Sequence, residues 1–182
     1  AKEHTDSVLV IESGVYGTTC ARVGCMPSKL LIAAAEISHQ IDHATQFGID
    51  VGVKSVDGKR VMDRVKSERD RFVGFVKEAV ESWRDEHKLI GKAVFTGANE
   101  LQVDDHTKVI AKRIVIAAGS RPMVPGPWYE LGDRLLINDD IFAWDDLPNS
   151  IAVVGTGVIG IEISQALARL GVKTRLLGVG DK

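Results

Sequence analysis

Cysteine is scarce: the 182 residues carry two, too few to staple a small secreted scaffold, so the meaning of Cys20 and Cys25 rests on spacing and neighbours. An excess of charge of either sign is lacking as well. Against 25 acidic side chains stand 23 basic ones, and the formal net charge of -2 supplies no general field for nucleic acid or an anionic membrane. Long hydrophobic runs are missing too. The longest apolar stretches, such as Leu30 to Ala35, fall far short of the roughly 20 residues a membrane span requires. The residues Ala1 to Ser7 are polar and lack the apolar centre of a secretory signal. The expectation is a cytoplasmic protein with neither nucleic acid nor membrane as a partner. No internal repeat or low-complexity tract occurs.

What is present is an ordinary globular composition, 45% hydrophobic and 26% charged, in a chain long enough for one domain or parts of two. Val8 to Glu12 is a short, nearly all-apolar run ending in an acid, the pattern of a buried parallel strand. A glycine-bearing loop, Ser13 to Thr19, leads into an apolar-periodic stretch that reads as a helix from about Met26 to His43. Pro27 suits its first turn and leaves the cysteines on the approach. A second, charge-rich helical pattern runs from Gly58 to about His87, with Val61, Val65, Phe72, Phe75, Val76, Ala79 and Val80 as its inner stripe.

Short β-like runs follow at Leu89 to Phe95, Glu100 to Val103 and Val109 to Ile110, which fit a small antiparallel sheet. Arg113 to Ala118 reads as another buried strand, closed by Gly119 and a loop holding Pro122, Pro125 and Pro127. A domain boundary is expected near residue 148, after Asp145, Asp146 and Pro148 and before a new strand at Ser150 to Val154.

Two motifs carry chemistry. Ile151 to Glu162 places Gly155, Gly157 and Gly160 between a strand and a helix from Val158 to Leu170, with a second strand at Val172 to Leu177. Such glycines allow a tight turn, close approach of backbone to a pyrophosphate and close helix packing, while the helix start presents free amides to phosphates. The strand-helix-strand context makes a dinucleotide site the expectation, against a merely structural strand-to-helix turn. The acid that usually meets the ribose of NAD is missing: Gly178 stands at about that place, Asp181 lies beyond, and Arg175 is a candidate for a 2′-phosphate. The sequence thus selects neither NAD nor NADP. His39 and His43 share a helix face, but with no third ligand they are read as solvated rather than metal-binding.

The second motif is Gly17-Thr18-Thr19-Cys20-Ala21-Arg22-Val23-Gly24-Cys25-Met26-Pro27-Ser28-Lys29. In an ideal α-helix, residues five apart are separated by roughly 8.5 Å at Cα, beyond the roughly 7 Å limit for a disulfide. A bond between Cys20 and Cys25 therefore requires distorted backbone, which Gly24 and Pro27 permit. The adjacent helix start and Lys29 favour a thiolate on reduction. Spacing alone leaves both a redox pair and two inert thiols open.

Residues Gly17 to Lys29 closely resemble the active-site segment of the flavoprotein pyridine-nucleotide disulfide oxidoreductases, a group that includes dihydrolipoyl dehydrogenase, glutathione reductase and mercuric reductase. The resemblance covers essentially the whole chain, through Glu12, the cysteine motif, Ile114 to Pro122 and the glycine fingerprint ending in Glu162. Pro27-Ser28-Lys29 looks more like dihydrolipoyl dehydrogenase or mercuric reductase than glutathione reductase, and of these the expectation is dihydrolipoyl dehydrogenase. The family resemblance implies an α/β fold, the FAD/NAD(P)-binding Rossmann-like three-layer type, incomplete at both ends, with residues 1–147 as a partial FAD-binding domain and 148–182 as the start of an NAD(P)-binding domain.

Carried over by position, Glu12 would bind the adenosine ribose of FAD, and Gly17, Thr18 and Thr19 would line its pyrophosphate and flavin. Cys20 would exchange with the dithiol substrate, and Cys25 would face the flavin as a thiolate. Lys29 would approach the flavin and pair with Glu162. Ala93 would contact adenine through its backbone. Ala118, Gly119 and Ser120 match an FAD-contacting segment, although Ala118 lacks the hydroxyl that usually stands there. The implied reaction passes electrons from dihydrolipoamide, free or on a lipoyl domain, through a Cys20–Cys25 disulfide and FAD to NAD, in cell redox homeostasis, by a homodimer. Two alternatives stand beside it: an NADPH-dependent mercuric or glutathione-type reductase, and a non-catalytic nucleotide-binding fragment or subunit. The FAD pyrophosphate loop and the C-terminal interface domain are not in this sequence, so the chain alone is expected to bind FAD weakly and turn over little.

Overall fold

In a computed structural model that describes residues 5–178, secondary structure follows the apolar periodicity of the chain, and glycines set most of the breaks. Strand β1 (Val10–Glu12) is followed by a short helix α1 (Thr19–Val23) and the long helix α2 (Cys25–His43). Helix α3 (Gly58–Glu81) precedes β2 (Lys88–Ile90), β3 (Ala93–Gly97), β4 (Glu100–Val103) and β5 (Thr107–Ile110). Strand β6 (Ser150–Val154), helix α4 (Val158–Arg169) and strand β7 (Lys173–Leu177) complete the order. No helix among the described residues is long and apolar enough to cross a membrane.

The chain divides into two compact units. One combines the segment up to Thr18 with Val73–Arg121, and the other combines Thr19–Phe72 with the chain from Pro122 onward. In the first unit, β1 pairs in parallel with β2, Val10 opposite Lys88 and Glu12 opposite Ile90. Strands β3, β4 and β5 form an antiparallel sheet, as their alternation and turn residues predict. The run expected as one strand from Leu89 to Phe95 is split at Gly91. There φ is 156°, and a Cβ would press on Val103 and Asp104, so only glycine lets the chain leave one sheet and enter the next.

In the second unit, β6 and β7 are parallel and joined through α4, the kind of crossover that a parallel pair requires. Leu31 and Ala35 of α2 pack with Ile163, Ala166 and Leu167 of α4 and with Met62 and Val65 of α3 in one core. Alanine at positions 35 and 166 allows the helices to approach closely. Ion pairs and hydrogen bonds cross the same face: Arg169 Nη1 donates to Glu36 Oε2 at 2.6 Å, and the buried Ser38 hydroxyl donates to the Arg169 carbonyl at 2.5 Å.

Several expectations are corrected. Arg113 to Ala118 is not a buried strand: it joins no ladder among the described residues, with Val115 87% and Ile116 75% exposed. A parallel strand is stable only beside neighbours, and the parallel ladder of this unit holds β1 and β2 alone. Strand β1 starts at Val10 rather than Val8. Helix α3 ends at Glu81, after which Asp85–His87 forms a separate 3₁₀ turn. Its buried residues are Met62, Val65 and Val73, while Phe75 is 54% exposed and Ala79 is exposed. At about 100° per residue, Phe75 lies some 140° round the helix from Met62, off the buried stripe.

Candidate active site

The cysteine motif is built by a helix break. Cys20 lies inside α1 and Cys25 opens α2, with Gly24 between them as the N-cap of α2. The break brings the two Cα atoms to 4.7 Å, within disulfide range, and Cys20 and Cys25 are bonded. Gly24 is needed sterically: a Cβ there would lie 3.1 Å from the Thr19 carbonyl oxygen and 3.3 Å from the Cys20 Cα. The first turn of α2 is closed by Ser28, whose amide donates to the Gly24 carbonyl at 3.1 Å and whose hydroxyl donates to the Cys25 carbonyl at 3.0 Å. No side chain caps the start of α2, so its free amides stand beside Cys25. Both cysteines are exposed, which leaves the bond open to thiol exchange.

One turn after Cys25, Lys29 occupies the same face of α2. Its ammonium donates to Glu162 Oε1 of α4 at 2.6 Å. A cleft of about 190 Å³ lies between the two helices, with Lys29, Ile32, Glu162 and Arg169 in its walls. The pair foreseen between Lys29 and Glu162 is thus formed.

The glycine fingerprint adopts the geometry its residue types predict. Gly155 has φ of 116°, and its amide donates to the Leu177 carbonyl at 2.8 Å, carrying the β6–β7 ladder one step past the strand. Gly157 caps α4 without a side chain, and a Cβ on either Gly155 or Gly157 would meet nothing within 4 Å. That open space before free helix amides is what a pyrophosphate requires. Gly160 packs directly on the turn, where a Cβ would overlap the Gly155 carbonyl oxygen. The three glycines line a cavity of about 1090 Å³, large enough for a dinucleotide. At the end of β7, Gly178 and Arg175 are exposed, and Asp181 lies outside the described residues.

In the other unit, Glu12 ends β1 half-buried, and its Oε1 accepts the Gly14 amide at 2.9 Å, which shapes the turn toward Gly17, where φ is 118°. Between them, Tyr16 holds a buried hydroxyl with no hydrogen-bond partner among the described residues, a polar group available to a ligand. Ala93 opens β3 opposite Val103, while Ala118, Gly119 and Ser120 are exposed and outside any strand. Thr18 and Thr19 are exposed. These features fit a flavin dinucleotide, with an acid at a strand end and glycine-bearing backbone after it.

His39 and His43 are close neighbours on α2, as their spacing predicts. Both are partly buried, with ring centroids 4.1 Å apart and His43 Nδ1 2.8 Å from the His39 carbonyl. No group of three or more metal-ligating side chains occurs among the described residues. Sequence reasoning missed the Lys54 ammonium, which joins Ser38 Oγ at 3.0 Å and Asp42, and the buried His87. Ser38 and Asp42 lie 16 and 12 residues from Lys54, and the Val8 carbonyl that meets His87 lies 79 away, too far along the chain to leave a periodic signal. Glu36 and Arg169 went unseen for the same reason.

A family model described as pyridine nucleotide-disulphide oxidoreductase matches residues 1–182, and the chain belongs to that family. Dihydrolipoyl dehydrogenase of Bacillus subtilis is 30% identical over 95% of this chain and 39% of its own length. The same enzyme of Geobacillus stearothermophilus is 32% identical over 96% of this chain and 37% of its own. Mycothione reductase of Mycobacterium tuberculosis is 30% identical over 92% of this chain and 38% of its own. The chain spans less than two fifths of each of these relatives. Among solved structures, a copper(II) complex of the HOCl-induced flavoprotein disulfide reductase RclA of Escherichia coli superposes with a TM-score of 0.68 at 25% identity, over 96% of this chain and 37% of that one. The fold is accordingly the α/β, FAD/NAD(P)-binding Rossmann-like one, and membership implies a flavin and a pyridine nucleotide as cofactors.

Proposed function

We propose that the whole protein is an FAD-dependent oxidoreductase that oxidises dihydrolipoamide, free or on a lipoyl domain, with NAD as the final acceptor. The observation that carries this reading is the exposed Cys20–Cys25 disulfide at the uncapped start of α2. A thiolate of the substrate attacks the Cys20 sulfur, a new disulfide forms between them, and Cys25 departs as a thiolate. The second substrate thiolate then attacks the substrate's own bonded sulfur, closing its disulfide and releasing Cys20. Two electrons have passed to the pair, while one substrate proton rests on Cys20 and the other goes to solvent.

The free amides of α2 and the ammonium of Lys29 stabilise the Cys25 thiolate. Glu162 holds Lys29 in place. Bound flavin supplies the two-electron relay from the dithiol pair to the nicotinamide. Glu12 would accept hydrogen bonds from its adenosine ribose hydroxyls, Gly17, Thr18 and Thr19 would line its pyrophosphate and flavin, and Ala93 with Ala118, Gly119 and Ser120 would provide further backbone contacts. The glycine turn of Gly155, Gly157 and Gly160 and the free amides at the start of α4 would hold the pyrophosphate of NAD, in a nucleotide domain that would open near residue 148. A cycling thiol pair works in a reducing compartment, so we place the enzyme in the cytoplasm, as a homodimer.

A reductase that runs electrons from NADPH to a low-molecular-weight disulfide is the second reading, favoured by the equal identity to mycothione reductase and to the Bacillus subtilis dehydrogenase. Anaerobic titration of the whole protein with dihydrolipoamide separates the two. The lipoamide reading expects the long-wavelength absorbance of a Cys25 thiolate beside oxidised flavin, and its loss in Cys25→Ser. Bound FAD without that band would point instead to NADPH-driven reduction, and a protein that takes up no FAD would end the flavoenzyme reading.

A further inference from the structure

We infer that His87 is a positioning residue for the flavin adenosine site, acting through β1 on Glu12; this rests on the reading of Glu12 as the ribose acceptor. His87 is 5% exposed, and among the described residues no other histidine and no lysine, arginine, aspartate or glutamate is buried. Its Nδ1 lies 2.7 Å from the carbonyl oxygen of Val8, 79 residues earlier in the chain. A carbonyl only accepts, so Nδ1 carries the proton. Its Nε2 lies 3.0 Å from Nη2 and 3.2 Å from Nε of Arg84, and a guanidinium only donates, so Nε2 is bare. The ring is therefore the neutral Nδ1–H tautomer with both nitrogens satisfied. Arg84 Nη2 also donates to Glu86 Oε1 at 2.7 Å, and that carboxylate oxygen lies 3.8 Å from His87 Nε2, beyond hydrogen-bond reach.

The consequence lies in β1. A parallel pair of three residues is marginal by itself. It is secured at its exit by the Gly91 amide, which donates to the Glu12 carbonyl at 2.9 Å, and at its entry by His87. Side chains alternate along a strand, so a slip of one residue would turn Glu12 to the opposite face. Without the His87 clamp, the register that aims the Glu12 carboxylate is held from one end only. Nothing in the dithiol exchange uses the imidazole, which leaves this anchoring as its role.

The test uses two neutral, polar variants of the whole protein. Asparagine places an amide N–H where Nδ1 stands, whereas glutamine places it where Nε2 stands. His87→Asn is expected to keep the FAD dissociation constant within about two-fold of wild type. His87→Gln, which leaves the Val8 carbonyl without a donor, is expected to weaken FAD binding about ten-fold, the effect of one lost buried hydrogen bond. The KM for the nicotinamide nucleotide, bound at another site, should not move in either. Equal FAD affinity in both variants, or a loss shared by FAD and nicotinamide nucleotide, would overturn the positioning role in favour of none or of general support. If wild-type protein itself takes up no FAD, the failure is that of the flavoprotein reading, and the inference falls with it.

Discussion

The ammonium of Lys29, one turn beyond the redox disulfide, lies 2.6 Å from the carboxylate of Glu162, 133 residues away on the helix that follows the glycine fingerprint. Their side chains are 58% and 36% exposed, and an ion pair so open to water contributes on the order of 0–1 kcal/mol to stability. Glu162→Gln should therefore leave the melting temperature nearly unchanged while slowing reduction of the flavin by dithiol roughly ten-fold, a barrier change of about 1.4 kcal/mol. Stopped-flow absorbance alongside a thermal melt checks this. A large fall in melting temperature with unaltered kinetics would assign the pair to packing alone.

Gly24 is the residue that allows the two cysteines to meet. Gly24→Ala adds a Cβ against the Thr19 carbonyl and the Cys20 Cα, both backbone atoms that cannot move aside as a side-chain tip can. A destabilisation of about 1–3 kcal/mol is expected from such overpacking, together with a smaller fraction of oxidised pair at a given redox poise. Thiol titration in glutathione buffers measures that fraction, and a value equal to wild type would show that the break does not depend on glycine.

At the nucleotide fingerprint, Gly160→Ala would force the helix start away from the Gly155 carbonyl. The expected result is a rise in the KM for the nicotinamide nucleotide of roughly ten-fold or more, with FAD content unchanged. Steady-state kinetics with a flavin absorbance ratio reads both. Loss of FAD with an unchanged KM would mean that the fingerprint serves the other dinucleotide.

Acid should loosen the link between α3 and the segment before β6. The hydrogen bond from Lys66 holds the Asp145 carboxyl below its ordinary range, and the one from Lys59 does the same for Asp63. Carboxyls depressed on folding stabilise the protein above their unfolded value of about 3.9, and that contribution is lost as pH falls through the lower folded values. Lys59, raised by its hydrogen bond with Asp63, contributes below about 10.4, and its share is lost as pH rises through its folded value. The gap in melting temperature between wild type and Lys66→Gln should therefore be present at pH 6 and close toward pH 3. A gap that stays constant over that range would dissociate it from these carboxylates.

Much of the site was legible because its signals are local. Glycines at 155, 157 and 160 between a strand and a helix, and two cysteines five apart around Gly24 before Pro27, are constraints written over a dozen residues each; α4 starts where they place it, whereas α2 already opens at Cys25 and Cys20 lies in a helix of its own rather than on the approach. The Lys29–Glu162 pair was anticipated from resemblance rather than from periodicity, since nothing local links two residues that far apart. The Arg113–Ala118 run shows the opposite failure. Apolar β-branched composition marks it as a strand, but a strand is a property of a pair, and composition names no partner.

By itself, then, the sequence determined the distorted backbone around Gly24, the strand-turn-helix of the fingerprint and the antiparallel sheet, because each depends on steric rules acting within a few residues. Only the tertiary structure decided that Gly91 divides one apolar run between two sheets, that Met62 and Val73 rather than Phe75 face inward, and that His87 clamps the start of β1. Those outcomes depend on which surfaces meet once the chain has closed on itself, and burial and hydrogen bonding across 79 residues leave no trace in the order of neighbours.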